Sequence, residues 1–447
     1  MPKPPYFAKL LDLHSLEALQ REMNRLEVDK GGIPIMSAKG ISLLILVEQI
    51  PTAAANCIKQ EILARGGDLV TPWSASSFEA PFVDVIFIGN LTTLRSTISK
   101  LYRQSVYDLP LIADIVQNVL VRTVPGYLPV APRPSRQGVV VEETLEDLMG
   151  GRIPLRAGSH RAIGRPTLVP VPGHEWRFGQ LTYVMGIVGA TPDACSDDGR
   201  DRCDADAARR RIARVVAEGA HIVDIGGESS EAREHGPTGL QDEIDRVVPL
   251  VAWTRQAYPH VLVSINTWKA QVAEAAVAAG AHLINDVGAM RRDPDMKRVA
   301  ADTGVPIVLM HSQEGTAYKD LVSDVARFFY EAMDAAVAAG VREEQIVLDA
   351  GFGFGKTVHQ DLELTRRLRE LTGFGRPILH APSRKRTIGR VLGYPDTVAE
   401  RLLGTGATVT MGIANGADII RVHDVLDMSR CATMTDALVR GYCGPDE

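Results

Sequence analysis

The chain has 447 residues, more than one ordinary domain needs, since domains cluster around roughly 100–200 residues and α/β barrels run to about 250. Hydrophobic residues make up 45% and charged residues 23%, which supplies a large core and excludes wholesale disorder. With 49 basic against 55 acidic side chains, the net charge of −6 leaves no electrostatic footprint for wrapping nucleic acid or anionic lipid. The five cysteines, Cys57, Cys195, Cys203, Cys431 and Cys443, form no C-x-x-C pair, so a reducing cytoplasm is the expected setting. The opening Met1–Leu19 is unlike a signal peptide. The longest membrane candidate, Ile41–Val47, is far too short to span a bilayer.

Residues 1–120 carry mixed signals, with a helix expected near Ala53–Arg65 and a strand over Val83–Ile88. They predict a smaller α/β or α+β domain. From 121 to 177 the chain changes character. Pro132 and Pro134, then Gly150-Gly151, then Pro166, Pro170 and Pro172 read as a linker with little room for a packed core.

From 178 to 447 the chain settles into a rhythm. Short apolar, β-branched runs recur at Leu181–Val188, His221–Ile225, Val261–Ile265, Leu283–Ile284, Pro306–Met310, Ile346–Leu348, Pro377–Leu379 and Asp418–Val422. Helix-period segments lie between most of them. In Asp320–Ala339 the residues Leu321, Val325, Phe328, Ala332 and Ala335 share a face, and Gly340 follows as a stop. Eight strands alternating with helices over about 265 residues predict a (β/α)8 TIM barrel.

Barrel chemistry belongs at the C-terminal strand ends, and polar residues crowd those points. They run from Thr191-Pro192-Asp193 through Asp224 and Glu228, Asn266-Thr267, Asn285-Asp286, His311, Asp349 and Lys356, and Ser383-Arg384-Lys385 to Arg421 and His423. Barrel rims are commonly polar, but a carboxylate or amide at nearly every strand end favours a functional rim. Gly351–Thr357 superficially suggests a phosphate loop. Ala350 stands where its first glycine would be, so a turn that lets backbone approach a flat ligand is the better reading.

Taken together these segments resemble the dihydropteroate synthase family of pterin-binding barrels. The resemblance rests on Val184–Ile187 with Thr191-Pro192-Asp193, Asp224–Ser229, Ala281–Val287, Leu348-Asp349 with Gly353–Lys356, Ser383-Arg384-Lys385, and Asn415–Asp418 with Arg421–Asp424. It implies a transferase of folate biosynthesis that condenses a 6-hydroxymethyl-dihydropterin pyrophosphate with p-aminobenzoate, giving dihydropteroate and pyrophosphate, with magnesium helping and a homodimer as the assembly. It also implies roles. Asn285, Asp349 and Lys385 would hold the pterin ring beside Gly353 and Phe354, and Arg421 and His423 the pyrophosphate. Ser230 would stand near the aminobenzoate, while Lys385, Asn266 and Asp349 would be closest to the chemistry.

Four positions depart from the family pattern. Gly189 replaces a metal-binding asparagine, Glu231 an anion-binding arginine, Asn266 an aspartate and Arg386 a serine. An inward Glu231 would matter, because two like charges about 4 Å apart cost about 4 kcal/mol at an effective dielectric near 20. Arg233 is close enough in sequence to compensate. Two other readings therefore stand beside the synthase: a non-catalytic or altered-substrate pterin-binding paralogue, and a methyltransferase using a methylated reduced folate.

Overall fold

The computed structural model describes residues 16–26, 29–124, 127, 129–130, 167–171, 174–179, 181–191, 205–228, 238–394 and 397–441. They fall into two compact units, one within 1–151 and the other running through 165–447.

The first unit is built on a three-stranded antiparallel sheet of β1 (Ser42–Pro51), β2 (Asp68–Val70) and β3 (Phe82–Asn90), with β3 in the centre. Alternation decides its faces. Ile45, Val47, Val83, Val85 and Phe87 are buried against the helices, whereas Leu44 and Leu46 point outward and are exposed, as the period-two geometry of a strand requires. Helices Thr52–Leu63, Leu91–Leu101 and Leu109–Thr123 supply the rest of the core through Ile58, Leu94, Ile98 and Leu120. Asn90 ends β3 and caps the next helix, its side-chain oxygen accepting from the Thr93 amide at 2.9 Å. The helix expected near Ala53–Arg65 and the strand expected over Val83–Ile88 are both present, with ends shifted by up to two residues.

The stretch read as linker holds more structure than its prolines suggest. The helix Leu109–Thr123 runs beyond 120, and β4 (Thr167–Val171) pairs with β5 (His174–Arg177) as an antiparallel hairpin. Pro170 sits in β4 where the pairing register shifts, between Leu168 and Val171. A two-stranded hairpin is all edge, and edges and bulges are where a strand tolerates proline. Pro132, Pro134, Gly150 and Gly151 lie outside the described residues.

In the second unit β6 (Tyr183–Gly189), β7 (Ile222–Gly226), β8 (Leu262–Asn266), β9 (Leu283–Asp286), β10 (Ile307–Met310), β11 (Ile346–Asp349), β12 (Ile378–His380) and β13 (Ile419–Val422) form a closed parallel barrel, with β13 pairing back onto β6. All eight predicted strands are there. Outward residues such as Val184, Val223, Val263, Ile284 and Ile420 meet the surrounding helices. Inside, each strand contributes one apolar side chain to a single layer: Met185, Ile222, Leu262, Leu283, Val308, Val347, Leu379 and Ile419, with Phe178 packed on the same cluster.

Two residues further along each strand the next inward position comes up. On β7, β8, β9, β11 and β13 that position is Asp224, Ser264, Asn285, Asp349 and Arg421. The barrel is therefore plugged by an apolar layer with a polar layer directly above it, facing the C-terminal rim. Among the described residues no helix is long and apolar enough to cross a membrane.

The two cores share no buried residue, which predicts separable unfolding. Phe87 is about as buried as a side chain can be, at 1% exposed, and Phe87→Ala should cost about 3–5 kcal/mol. Calorimetry is expected to show one transition moving down while the barrel's stays in place. A joint shift of both would mean that the units unfold as one.

Candidate functional site

Asp224 is the centre of the polar layer. It is 1% exposed, and an ionised carboxylate so deep must be compensated on every side. Four side chains do this from three other strands. Ser264 Oγ donates at 2.6 Å, Arg421 Nε at 2.7 Å, and the Asn285 amide reaches both oxygens at 3.2 and 3.3 Å. Asn266 Nδ2 completes the set at 3.4 Å, a long contact. The aspartate-to-asparagine departure at 266 thus has a local consequence: the side chain donates to Asp224 where a carboxylate would repel it.

Across the floor, Asp349 ends β11 buried. Burial raises its pKa, against the pull of the Gly351 amide that donates to Oδ1 at 2.8 Å and of the nearby charges of Lys385, Arg421 and Lys356. Lys385 lies with its ammonium 4.0 Å from the centroid of the Phe354 ring. Burial and the charge of Arg421 lower its pKa to about 8. Asp349, Lys385, Gly353 and Phe354 thus stand together at the barrel mouth, while Asn285 is held by Asp224.

The glycine turn that carries Phe354 is shaped from beneath. Lys356 Nζ donates to the carbonyls of Gly351 at 3.0 Å and Phe354 at 3.1 Å, and it stands 3.0 Å from His311 Nδ1. All three ammonium protons have partners, so this lysine braces its own loop. Gly351 has φ +71°, and a Cβ there would fall 1.8 Å from the His311 carbonyl oxygen, so no other residue fits. Gly353 is held by Asp361, which accepts from its amide at 2.7 Å and from Thr387 Oγ1 at 2.5 Å.

Around β13, His423 Nδ1 is 3.0 Å from Ser383 Oγ, which also accepts from the His423 backbone amide at 3.1 Å. Arg384 forms a two-bond pair with Asp424 at 2.9 and 2.5 Å. Over β8, Lys269 Nζ joins Glu228 at 2.6 Å, Glu243 at 2.5 Å and the Thr238 carbonyl at 2.8 Å. These carboxylates outweigh the cost of burying the lysine and raise its pKa.

Not every candidate is gathered here. Arg386 opens the helix Arg386–Leu392 and its side chain is exposed, so its departure from serine leaves the floor untouched. Ser230, Glu231 and Arg233 lie outside the described residues, as do Pro192 and Asp193. Gly189 is the last residue of β6 and brings no side chain to the first strand end. Among the described residues no three of His, Cys, Asp or Glu stand together as a metal set. Asp224, Glu228 and Asp424 are each engaged by the donors above, and Asp286 accepts from the amides of Gly288 and Met290. The described side chains do not fit a protein-held magnesium ion.

Three contributors were not singled out from sequence: Asp224 as a hub, Asp361 under the glycine turn, and Lys269 between Glu228 and Glu243. Only Asp224 carried a signal, its place at a strand end. The others sit on helices or just beyond a strand, where charge is ordinary.

Comparison with known proteins agrees with this geometry. Residues 185–423 match the family described as pterin binding enzyme. A dihydropteroate synthase of Clostridium beijerinckii is 44% identical over 267 residues, which is 60% of this chain and 97% of the relative. Two solved structures of the Xanthomonas albilineans dihydropteroate synthase are each 36% identical and are covered to 98% by 61% of this chain. One holds 4-aminobenzoic acid, with a TM-score of 0.56, and the other 7,8-dihydropteroate, with a TM-score of 0.55. The chain belongs to the dihydropteroate synthase family of pterin-binding barrels.

Removing Asp224 leaves the Arg421 guanidinium facing the floor uncompensated, and breaking a buried pair in this way costs about 3–5 kcal/mol. Urea unfolding should show Asp224→Ala losing that much and Asn266→Ala, whose bond is long, well under half of it. Equal losses would mean that Asp224 is not the hub.

Proposed function

We propose that the protein is a dihydropteroate synthase. The observation that carries this reading is the polar layer, where Asp224, Asn285, Asp349 and Arg421 converge from four strands above an apolar plug. An amide, a carboxylate and an ammonium at the barrel mouth suit the donor and acceptor edge of a pterin, and the Phe354 ring beside Lys385 offers a flat apolar surface to the same ligand. Dihydropteroate itself occupies one of the similar enzymes.

In the reaction, the bond from the pterin methylene carbon to pyrophosphate oxygen breaks and its electron pair leaves on the oxygen. The amine nitrogen of p-aminobenzoate forms the new bond to that carbon and releases a proton. Asn285, Asp349 and Lys385 orient the ring. Arg421 and His423 receive the charge that grows on the leaving group, and contacts that strengthen as that charge develops lower the barrier. Ser230 would meet the aminobenzoate. Magnesium, which the resemblance implies, would find no side-chain ligand at Gly189, and the roles above belong to the chain's own side chains. The second reading, a pterin-binding paralogue without turnover, is favoured by that same glycine.

A homodimer fits the apolar stripe that helices Leu402–Ala414 and Val425–Arg440 leave outward, where Leu403 is 85% exposed, Leu438 70% and Met434 59%. The free thiols of Cys57 and Cys431 agree with a cytoplasmic setting.

Incubation with the pterin pyrophosphate and p-aminobenzoate should yield dihydropteroate. Binding of a pterin without product would select the paralogue instead. By calorimetry Asp349→Ala should weaken pterin binding by about 1.5–3 kcal/mol, the range for hydrogen bonds to a charged group. Unchanged affinity would remove Asp349 from the site. For the assembly, sedimentation should give a dimer that Leu438→Lys converts to monomer, and a wild-type monomer would dispose of the dimer.

A further inference from the structure

We infer that Asp361 is a positioning residue: one buried carboxylate ties the turn that carries Phe354 to the strand end that carries Lys385, and so fixes how the two face one another. The inference rests on the pterin-binding reading of the mouth and extends it to a helix residue outside the motifs that carry the family resemblance.

Asp361 stands on the helix Val358–Arg367 and is 1% exposed. The start of that helix is fixed by Thr357 and Gln360, whose side chains each accept from the other's backbone amide, at 3.2 and 2.9 Å. From this base the two carboxylate oxygens reach two different segments. Oδ1 accepts from the Gly353 amide at 2.7 Å, in the turn after β11. Oδ2 accepts from Thr387 Oγ1 at 2.5 Å, in the helix that follows β12.

What the tie joins is a pair of side chains in contact. Lys385 immediately precedes the helix Arg386–Leu392, and Thr387 is two positions on. The lysine stem runs along the glycine turn: Gly353 has φ +80°, and a Cβ built there would lie 3.0 Å from Lys385 Cδ. The ammonium then ends 4.0 Å from the centre of the Phe354 ring. Stem and head of Lys385 therefore rest on two consecutive residues of the turn whose amide Asp361 holds. The backbone on the lysine side needs holding as well. Arg384 has φ +58°, a left-handed conformation that an ordinary residue keeps only where its surroundings impose it.

A carboxylate is a costly choice for this task. Both of its bonded donors are neutral, and burial raises its pKa. An apolar side chain would avoid that cost but would bond neither segment. The charge has a second effect. Burial lowers the pKa of both lysines at the mouth, Lys356 and Lys385, and Asp361 opposes that shift in each.

Hydrogen exchange read by mass spectrometry tests the tie without any ligand. In Asp361→Ala the peptides covering 351–356 and 385–390 should both lose protection, by about tenfold or more, while the barrel strands stay unchanged. Asp361→Asn should keep it, since its oxygen accepts from Gly353 and its amide nitrogen donates to Thr387. Calorimetry with 6-hydroxymethylpterin then reads the consequence. Asp361→Ala should bind about tenfold or more weakly, because support left loose by about 1 Å is enough to spoil a site, and Asp361→Asn should stay within about threefold of wild type. Thr387→Val cuts one end only and should fall between. Adding it to Asp361→Ala should change little, as two ends of one tie require. Affinity that Asp361→Ala leaves near wild type, or that Asp361→Asn loses as fully as Asp361→Ala, overturns the inference. Should Asp361→Ala not fold, Thr387→Val decides, and unchanged affinity there is fatal. A wild type that binds no pterin sinks the reading of the mouth instead, whereas exchange that loosens neither segment, or only one, in Asp361→Ala overturns this one.

Discussion

One buried carboxylate sets the geometry of the barrel mouth. Asp224 accepts from side chains on β8, β9 and β13 while standing on β7, so four strands share a single charge. In a low-dielectric interior that charge is tolerable only while its donors stay in place. The donors are held as firmly as the acceptor. Asn285 has its amide nitrogen turned toward Asp224 and Arg421 has its Nε there, which fixes where the remaining polar atoms of both side chains point.

Beneath this hub lies the apolar layer, one side chain from each strand, and it gives the polar layer a dry, close-packed base. Above it the loops are braced by charge. Lys356 binds its own turn to His311, Asp361 holds Gly353, and Lys269 ties Glu228 to Glu243 and Thr238. The site is thus rigid from below by packing and from above by hydrogen bonds, the arrangement that preorganised chemistry needs.

The barrel was legible because its strands are buried on both faces and read as short continuous apolar runs. Strand-end residues were legible for the same reason, since a polar side chain closing such a run stands out. The hairpin over 167–177 was not, because Pro170 reads as a breaker in any linear scan and only the edge position of β4 excuses it. The hub was half legible. Asp224 was visible at its strand end, but its partners lie between 40 and 197 positions away, and no periodicity encodes such a meeting. Arg386 shows the reverse error. Beside Lys385 in sequence it looks like part of the site, yet the chain turns into a helix there and carries it to the surface.

The two lysines at the mouth have a consequence for covalent chemistry. Burial lowers both pKa values to about 8, so each is more readily a free amine near neutral pH than a surface lysine at about 10.4. Their surroundings then separate them. Lys356 has its protons engaged by its own turn and by His311, whereas the described contact of the Lys385 ammonium is the face of Phe354. A small acylating reagent shaped like a pterin would find Lys385 as its nucleophile and leave Lys356 unmarked, so the floor that orients a substrate also presents a selective handle for irreversible blockade.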